Sequence, residues 1–393
     1  MTGPSLHLRP RDGGEQPTTS VELLFDLVYV FAVTQISHLL IENLTFEGAR
    51  RAAFLLVVVW WAWIYTTWMV NWFDPASAKV RLVLVACTLM SLLMSAAIPT
   101  AFGENALLFA GAYVAMQVGR NLAGSLLLDA GHGLRATFQR ILAWSIASGC
   151  LWIAGALTPS GPRFALWGAA LAIDLVAPIA GYRTPGLGRS TSEEYPVEGA
   201  HFAERFQAFI IIALGESIVV TGASAGSRGL TGTVIAALAL AFLVTGALWW
   251  LYFGEVAEHS RARLATADDS GILARDAYTY LHLPIVAGII MVAVGDDLLI
   301  GAPRASLTTA GIVMTVGGPA LYLLGESLFR LRMIGSVNPK RLTAVLALCV
   351  LGAVAGDLSA IVLTGAVGVL LTTLAVWESW PSPAPVGPTA PER

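Results

Sequence analysis

"VELLFDLVYVFAVTQISHLL", residues 21–40, is an apolar run long enough to leave water, yet it carries Glu22, Asp26, Gln35 and His38. A helix rises 1.5 Å per residue, so about 20 residues cross the roughly 30 Å of hydrocarbon in a bilayer. Runs of this kind recur along the chain as far as Trp377. Composition agrees: of 393 residues, 56% are hydrophobic and 12% charged, with a mean hydropathy of +0.71. That charged fraction is about half that of a soluble domain. The expected fold is all-α, a polytopic transmembrane helix bundle of about 12 spans.

The spans read as 21–41, 52–72, 80–99, 106–128, 138–157, 164–181, 202–222, 231–253, 279–295, 306–328, 342–356 and 358–377. The last two form one apolar stretch too long for a single crossing and broken only by "AGD" at 355–357, which reads as a tight hairpin. Five segments follow. Residues 1–20 are polar and rich in Pro, Gly and Thr, a disordered cytoplasmic segment without the pattern of a removable signal peptide. Residues 21–181 form a first transmembrane half, 182–201 a cytoplasmic linker and 202–377 a second half. The Pro-rich residues 378–393 are a disordered tail.

Basic residues set the orientation. Of the 23 Lys and Arg, Arg50, Arg51, Arg163, Arg228 and Arg304 fall on one side, Arg120 and Arg205 lie within spans, and the other 16 share the side of both termini. Both termini are therefore expected in the cytoplasm. The net charge of -3, spread over loops, offers no basic face for nucleic acid. Cys87, Cys150 and Cys349 fall in predicted spans and read as small apolar fillers, neither a disulfide framework nor a metal cluster.

The two halves look alike. "WWAWIYTTWMVNWFD" in span 2 and "WWLYFGEVAE" in span 8 each lead from a Trp pair through aromatics to an acid. Spans 1 and 7 each begin near an acid, Glu22 and Glu204, and hold a second polar group deeper in. The pattern suits two parallel six-helix repeats, an arrangement that places binding sites near the midplane between halves.

Ionisable groups inside a membrane cost roughly 2.5 to 3.5 kcal/mol each to insert, so they face the bundle interior and need partners. At 100° per residue Glu22, Asp26, Val33 and Ser37 share one stripe, while His38 lies about 120° from Asp26. In "HFAERFQAFIIIALGESIVV", residues 201–220, His201, Arg205 and Glu216 share a face, with Glu216 about 16 Å deeper than Arg205. Arg120 is the remaining deep base, a partner for Glu216 or for Asp174 in "ALAIDLVAP". This set reads either as a buried ion path or proton relay, or as a salt-bridged network that fixes helix register. Arg205 is expected to meet Asp26 or Glu22.

Trp61, Tyr65, Trp68 and Trp72 recur at i, i+4, i+7 and i+11, one stripe about 16 Å long. It packs helices, or lines a cavity that holds a cation over ring faces or a planar or isoprenoid-like substrate. Other signals are weaker. "GESIV" at 215–219 and "GESLF" at 325–329 repeat a triplet that suits close helix approach better than catalysis. Asp296 with Asp297, and Asp268 with Asp269, are acid pairs of a kind that can hold Mg²⁺, but no further acid follows either pair. His282 before a proline reads as a satisfied interfacial histidine, and no zinc-binding pattern exists.

"VELLFDLVYVFAVTQISH", "HFAERFQAFIIIALGESIVV", the Trp-rich span 2 and "YLHLPIVAGIIMVAVG" together resemble the bacterial low-temperature-requirement A (LtrA) family over about residues 20–375. The matching positions are Glu22, Phe25, Asp26, Gln35, His38, His201, Glu204, Arg205, Gly215, Glu216 and Ser217. The resemblance implies a multi-pass protein of a bacterial cytoplasmic membrane, in a family named for a growth requirement in the cold. It implies no substrate, reaction or cofactor. A cation- or proton-linked transporter or channel fits the buried charges best. The alternatives are an intramembrane enzyme acting on a lipid or isoprenoid with buried acids as proton donors, and a non-catalytic membrane component. The solute, coupling ion and oligomeric state leave no mark in the sequence.

Overall fold

The computed structural model describes residues 7–10, 16–191, 194–195, 197–254, 260, 263–264 and 269–380. Asp268 and most of the C-terminal tail lie outside them. The described residues fold into twelve long helices: α1 (Ser20–Glu42), α2 (Phe46–Trp72), α3 (Ala78–Ala96), α4 (Ala106–Leu126), α5 (Gly133–Ala156), α6 (Ser160–Val176), α7 (Gly199–Arg228), α8 (Gly232–Phe253), α9 (Ser270–Gly301), α10 (Thr309–Ile334), α11 (Pro339–Val354) and α12 (Ala360–Ser379). Nine of the twelve are long and apolar enough to cross a membrane. The other three are α4, α5 and α6. Of these α6 has 17 residues, α4 carries Gln117, Arg120 and Asn121, and α5 carries Gln139 and Arg140. The chain is a multi-pass helical membrane protein. A single 3₁₀ turn, Ala355–Asp357, joins α11 to α12 where the hairpin is expected.

Packing runs through two similar series of neighbours, broken by α8, which packs closely on α12 where α2 makes no comparable contact with α6. α1 packs on α3, α3 on α4, α4 on α5 and α5 on α6; α7 packs on α9, α9 on α10, α10 on α11 and α11 on α12. The halves meet where α1 and α2 touch α7 and α9. α2 carries the largest buried share of any span, and Trp60, Trp61 and Trp63 are each within 1% of complete burial. Aromatic bulk fills the centre of the bundle. α9 and α10 approach so closely that a Cβ on Gly288 would lie 2.7 Å from the Gly318 carbonyl oxygen, a contact only glycine permits. Each of these two helices also contains a π-helical stretch, Ala274–Tyr280 in α9 and Val313–Gly317 in α10. Such irregularities gather at functional sites.

The N-terminal segment departs from expectation. Residues 7–10 run against the end of α2, with Arg9 N–H donating to Trp72 O and Asp74 N–H to His7 O, each at 2.9 Å. The Arg9 side chain is 6% exposed and reaches into the bundle.

Candidate functional site

Consecutive helices run in opposite directions, so the starts of α1 and α7 and the end of α2 lie at one face, where Glu22, His201 and Asn71 meet. There a buried ion cluster joins the halves. Thr19 caps α1, and Glu22 reaches back to accept from the Thr19 backbone N–H at 2.7 Å. The other oxygen of Glu22, Oε1, lies 3.0 Å from Arg9 Nη2, 2.9 Å from His201 Nε2 and 3.1 Å from Arg205 Nη1. One turn deeper, Asp26 Oδ1 accepts from Arg205 Nη2 at 2.6 Å and from Trp63 Nε1 at 2.7 Å. Asn71 completes the set, donating to the Glu198 carbonyl at 2.9 Å and accepting from its N–H at 2.8 Å. Two carboxylates and two guanidiniums balance in a space closed to solvent. Asp26 Oδ2 and Arg205 Nε have no hydrogen-bond partner among the described residues.

His38 and Glu204 stand apart from this cluster. Both are exposed, Glu204 accepting from the Thr18 backbone N–H at 3.3 Å. Arg9, Trp63 and Asn71 are members that sequence reasoning missed. Arg9 sits in a segment whose composition reads as disordered, and nothing in its neighbours marks it.

Arg120 pairs with neither Glu216 nor Asp174, which corrects both expectations. Its guanidinium turns toward α2, donating to Thr66 Oγ1 at 3.1 Å and to Gln117 Oε1, and stands 5.2 Å from the centre of the Tyr65 ring. Among the described residues no carboxylate comes within salt-bridge distance of it. Asp174 Oδ2 instead accepts from Tyr113 at 2.8 Å and Trp152 at 3.1 Å. Gln117 donates to the Tyr113 hydroxyl at 3.0 Å, so Arg120, Gln117, Tyr113 and Asp174 form one hydrogen-bonded chain from α4 to α6. The two charges communicate through neutral groups because α4 places Gln117 and Tyr113, one and two turns before Arg120, on the line between them.

The triplet Gly215-Glu216-Ser217 sends two side chains to opposite neighbours. Glu216 Oε2 lies 2.5 Å from Thr34 Oγ1 of α1, while Ser217 donates to Asp296 Oδ2 of α9 at 2.5 Å and meets Thr245 of α8 at 2.9 Å. Glu216 is fully buried and Asp296 is 3% exposed, and neither has a cationic side chain within ion-pair distance among the described residues. Thr34 also stands 3.0 Å from the Val30 carbonyl, so its single hydroxyl proton faces two acceptors. Glu216 Oε1 and the Ser37 hydroxyl, both buried, lie near each other without a well-aligned hydrogen bond among the described residues, and the His38 imidazole is close enough to act on Glu216.

The weak metal reading of Asp296 and Asp297 fails on position. α9 continues to Gly301, so Asp296 turns inward to Ser217 while Asp297 is only half-buried one residue on. No group of three or more His, Cys, Asp or Glu gathers among the described residues. Asp269 precedes α9 as its N-cap. His282 is fully buried, its Nε2 2.9 Å from the Tyr252 hydroxyl and its Nδ1 3.3 Å from the Ala277 carbonyl.

Trp61, Tyr65, Trp68 and Trp72 line one cleft, closed further by Phe138, Tyr182 and Tyr195. Its cavity is small, about 60 Å³, and opens between α2, α5, the segment after α6 and the start of α9. Asn121, Thr137, Thr279 and Arg275 supply its polar groups. Tyr182, the one described non-glycine residue with positive φ (50°), is held by its hydroxyl contact with Tyr65 at 2.8 Å. Burial pushes the Tyr182 phenol well above its ordinary range, so it stays uncharged.

The profile of a family described as "Bacterial low temperature requirement A protein (LtrA)" matches residues 18–376. An uncharacterized protein of Rhizobium meliloti (strain 1021) is 34% identical over 373 residues, covering 94% of this chain and 91% of the relative. No solved structure matches. The match spans the cleft, the intramembrane acids and the ion cluster except Arg9, and the chain belongs to the LtrA family.

Proposed function

We propose that the protein is a proton- or cation-linked transporter or channel of the bacterial cytoplasmic membrane, with both termini in the cytoplasm. The observation that carries this reading is the pair of intramembrane acids beside α7. Glu216 and Asp296 hydrogen-bond hydroxyls and form no ion pair among the described residues, the His38 imidazole being a base near Glu216, and a carboxylate kept inside a membrane without a paired cation marks an ion or proton pathway more often than a structural clamp. The balanced cluster of Glu22, Asp26, Arg9 and Arg205 then serves as the joint between halves, and α7 carries both elements. The recurring helix order supports binding between two parallel halves.

Proteoliposomes carrying a trapped pH dye, with an imposed proton, Na⁺ or K⁺ gradient, test the reading. Flux is expected with the native protein and its loss with Glu216→Gln. Absence of flux under every gradient would overturn it. The aromatic cleft favours a second reading, an intramembrane enzyme acting on a lipid or isoprenoid. Membrane lipid and isoprenoid profiles that shift on deletion would turn the assignment that way.

A further inference from the structure

We infer that the aromatic cleft binds an anion carried on a flat apolar body, such as an aromatic or isoprenoid acid. The inference deepens the transport reading by naming its substrate class. An aromatic box alone would suit a cation. Three observations reverse that choice.

First, Arg120, outside the lining, stands 5.2 Å from the centre of the Tyr65 ring and places a positive charge behind that wall of the cleft, which disfavours a ligand cation there. It carries its charge without a carboxylate in salt-bridge reach. Second, among the described lining residues Arg275 is the charged one, and no acid lines the cleft. Arg275 shares Asp276 with Arg332, at 2.8 Å and 3.0 Å, so two guanidiniums divide one carboxylate at the mouth. Glu194, which approaches through Thr137, is paired with Arg140 at 2.6 Å.

Third, the lining holds donors with no acceptor among the described residues. The Trp61 indole N–H is buried with no partner, although the residue is only 1% exposed. Tyr65 and Tyr182 share one hydrogen bond, which leaves the second hydroxyl proton without an acceptor among the described residues. Trp68 N–H, by contrast, is satisfied by Thr279 Oγ1 at 3.1 Å. Unspent donors beside an excess of positive charge call for an acceptor-rich ligand. The rings supply its apolar contact, by offset stacking.

Equilibrium dialysis on the full-length protein in phosphatidylcholine nanodiscs tests this with three probes of one shape: 2-naphthoate, 2-naphthylmethanol and a naphthylmethyl trimethylammonium salt. The carboxylate is expected to bind saturably and at least about tenfold tighter than the other two, the scale of one charge-assisted hydrogen bond. Arg275→Gln and Trp61→Phe, each checked for native thermal stability, should each weaken it several-fold. Equal or tighter binding of the ammonium probe, or naphthoate affinity unmoved in both folded variants, would overturn the inference. Displacement by short-chain phosphatidylglycerol would identify a lipid headgroup as the natural anion, and its failure a soluble acid. Naphthoate binding without flux removes the transport reading alone, whereas cation flux without naphthoate binding removes only the substrate class.

Discussion

Arg205 Nη2 lies 2.6 Å from Asp26 Oδ1, and both residues are fully buried. Arg205→Met would strand Asp26 with only the Trp63 N–H and leave Glu22 to Arg9 and His201. Breaking a buried pair from one side costs about 3–5 kcal/mol. Arg205→Met with Asp26→Asn removes both charges and keeps an oxygen for Trp63. The double variant should recover at least half of the single variant's loss in unfolding midpoint. A double variant as unstable as the single one would show that the guanidinium's packing, not the pairing, holds α1 to α7.

The two Gly-Glu-Ser triplets separate by packing. A Cβ on Gly325 would fall 2.8 Å from Ile285 Cγ1 and 3.0 Å from the Ile285 backbone nitrogen, whereas one on Gly215 would meet nothing within 4 Å. Gly325→Ala should destabilise by roughly 1–3 kcal/mol through overpacking. Gly215→Ala should leave stability unchanged or raise it by about 0.5–1 kcal/mol, since alanine is the better helix former. Thermal unfolding of the two single variants side by side decides the matter. Close helix approach, expected from sequence at both glycines, belongs to Gly325 only.

Thr34 makes the short hydrogen bond to Glu216, with Ser37 beside it. Thr34→Val keeps the shape and removes that bond, and Thr34→Ser restores it. Valine should cost about 1–3 kcal/mol for the stranded acid and reduce proteoliposome flux on the order of tenfold, with serine returning most of the flux. Equal flux in all three forms would take Thr34 out of the pathway.

Helix number, the α11–α12 hairpin and the polar stripe of α1 are legible in the sequence because each depends on residues near in the chain. Apolar run length fixes a span, and 100° per residue places Glu22 beside Asp26. Partner choice is set between helices, and no periodicity carries it. Arg120 and Asp174 look like a pair when only charges are counted. Gln117 and Tyr113, neutral and unremarkable in an apolar run, stand between them. Arg9 is invisible for another reason: a Pro- and Gly-rich segment gives no sign that one arginine docks against α2. The cleft is partly legible, since its stripe on α2 has helical period, but Tyr182, Tyr195 and Arg275 come from connecting segments and a helix start whose places only the fold decides.

Arg120 and Arg205 are both within 1% of complete burial, yet their partners predict opposite results on removal. Arg205 neutralises Asp26 and Glu22 and its loss strands them. Among the described residues Arg120 hydrogen-bonds the Thr66 hydroxyl, the Ala62 carbonyl and the Gln117 amide and stands against the Tyr65 face. Its charge is held away from water without a counter-ion in salt-bridge reach, a cost that methionine would relieve. Against that relief stands the loss of one partner for Gln117 and one for Thr66, on the order of 1 kcal/mol each. Arg120→Met should therefore change stability by no more than about 1 kcal/mol, far less than Arg205→Met. Naphthoate binding should fall in the same variant, because the positive charge behind Tyr65 is gone. A guanidinium that the fold does without and the ligand requires is retained for binding. If Arg120→Met instead unfolds the protein as readily as Arg205→Met, Arg120 is a structural clamp of α4 on α2 and the charge behind the cleft has no separate task.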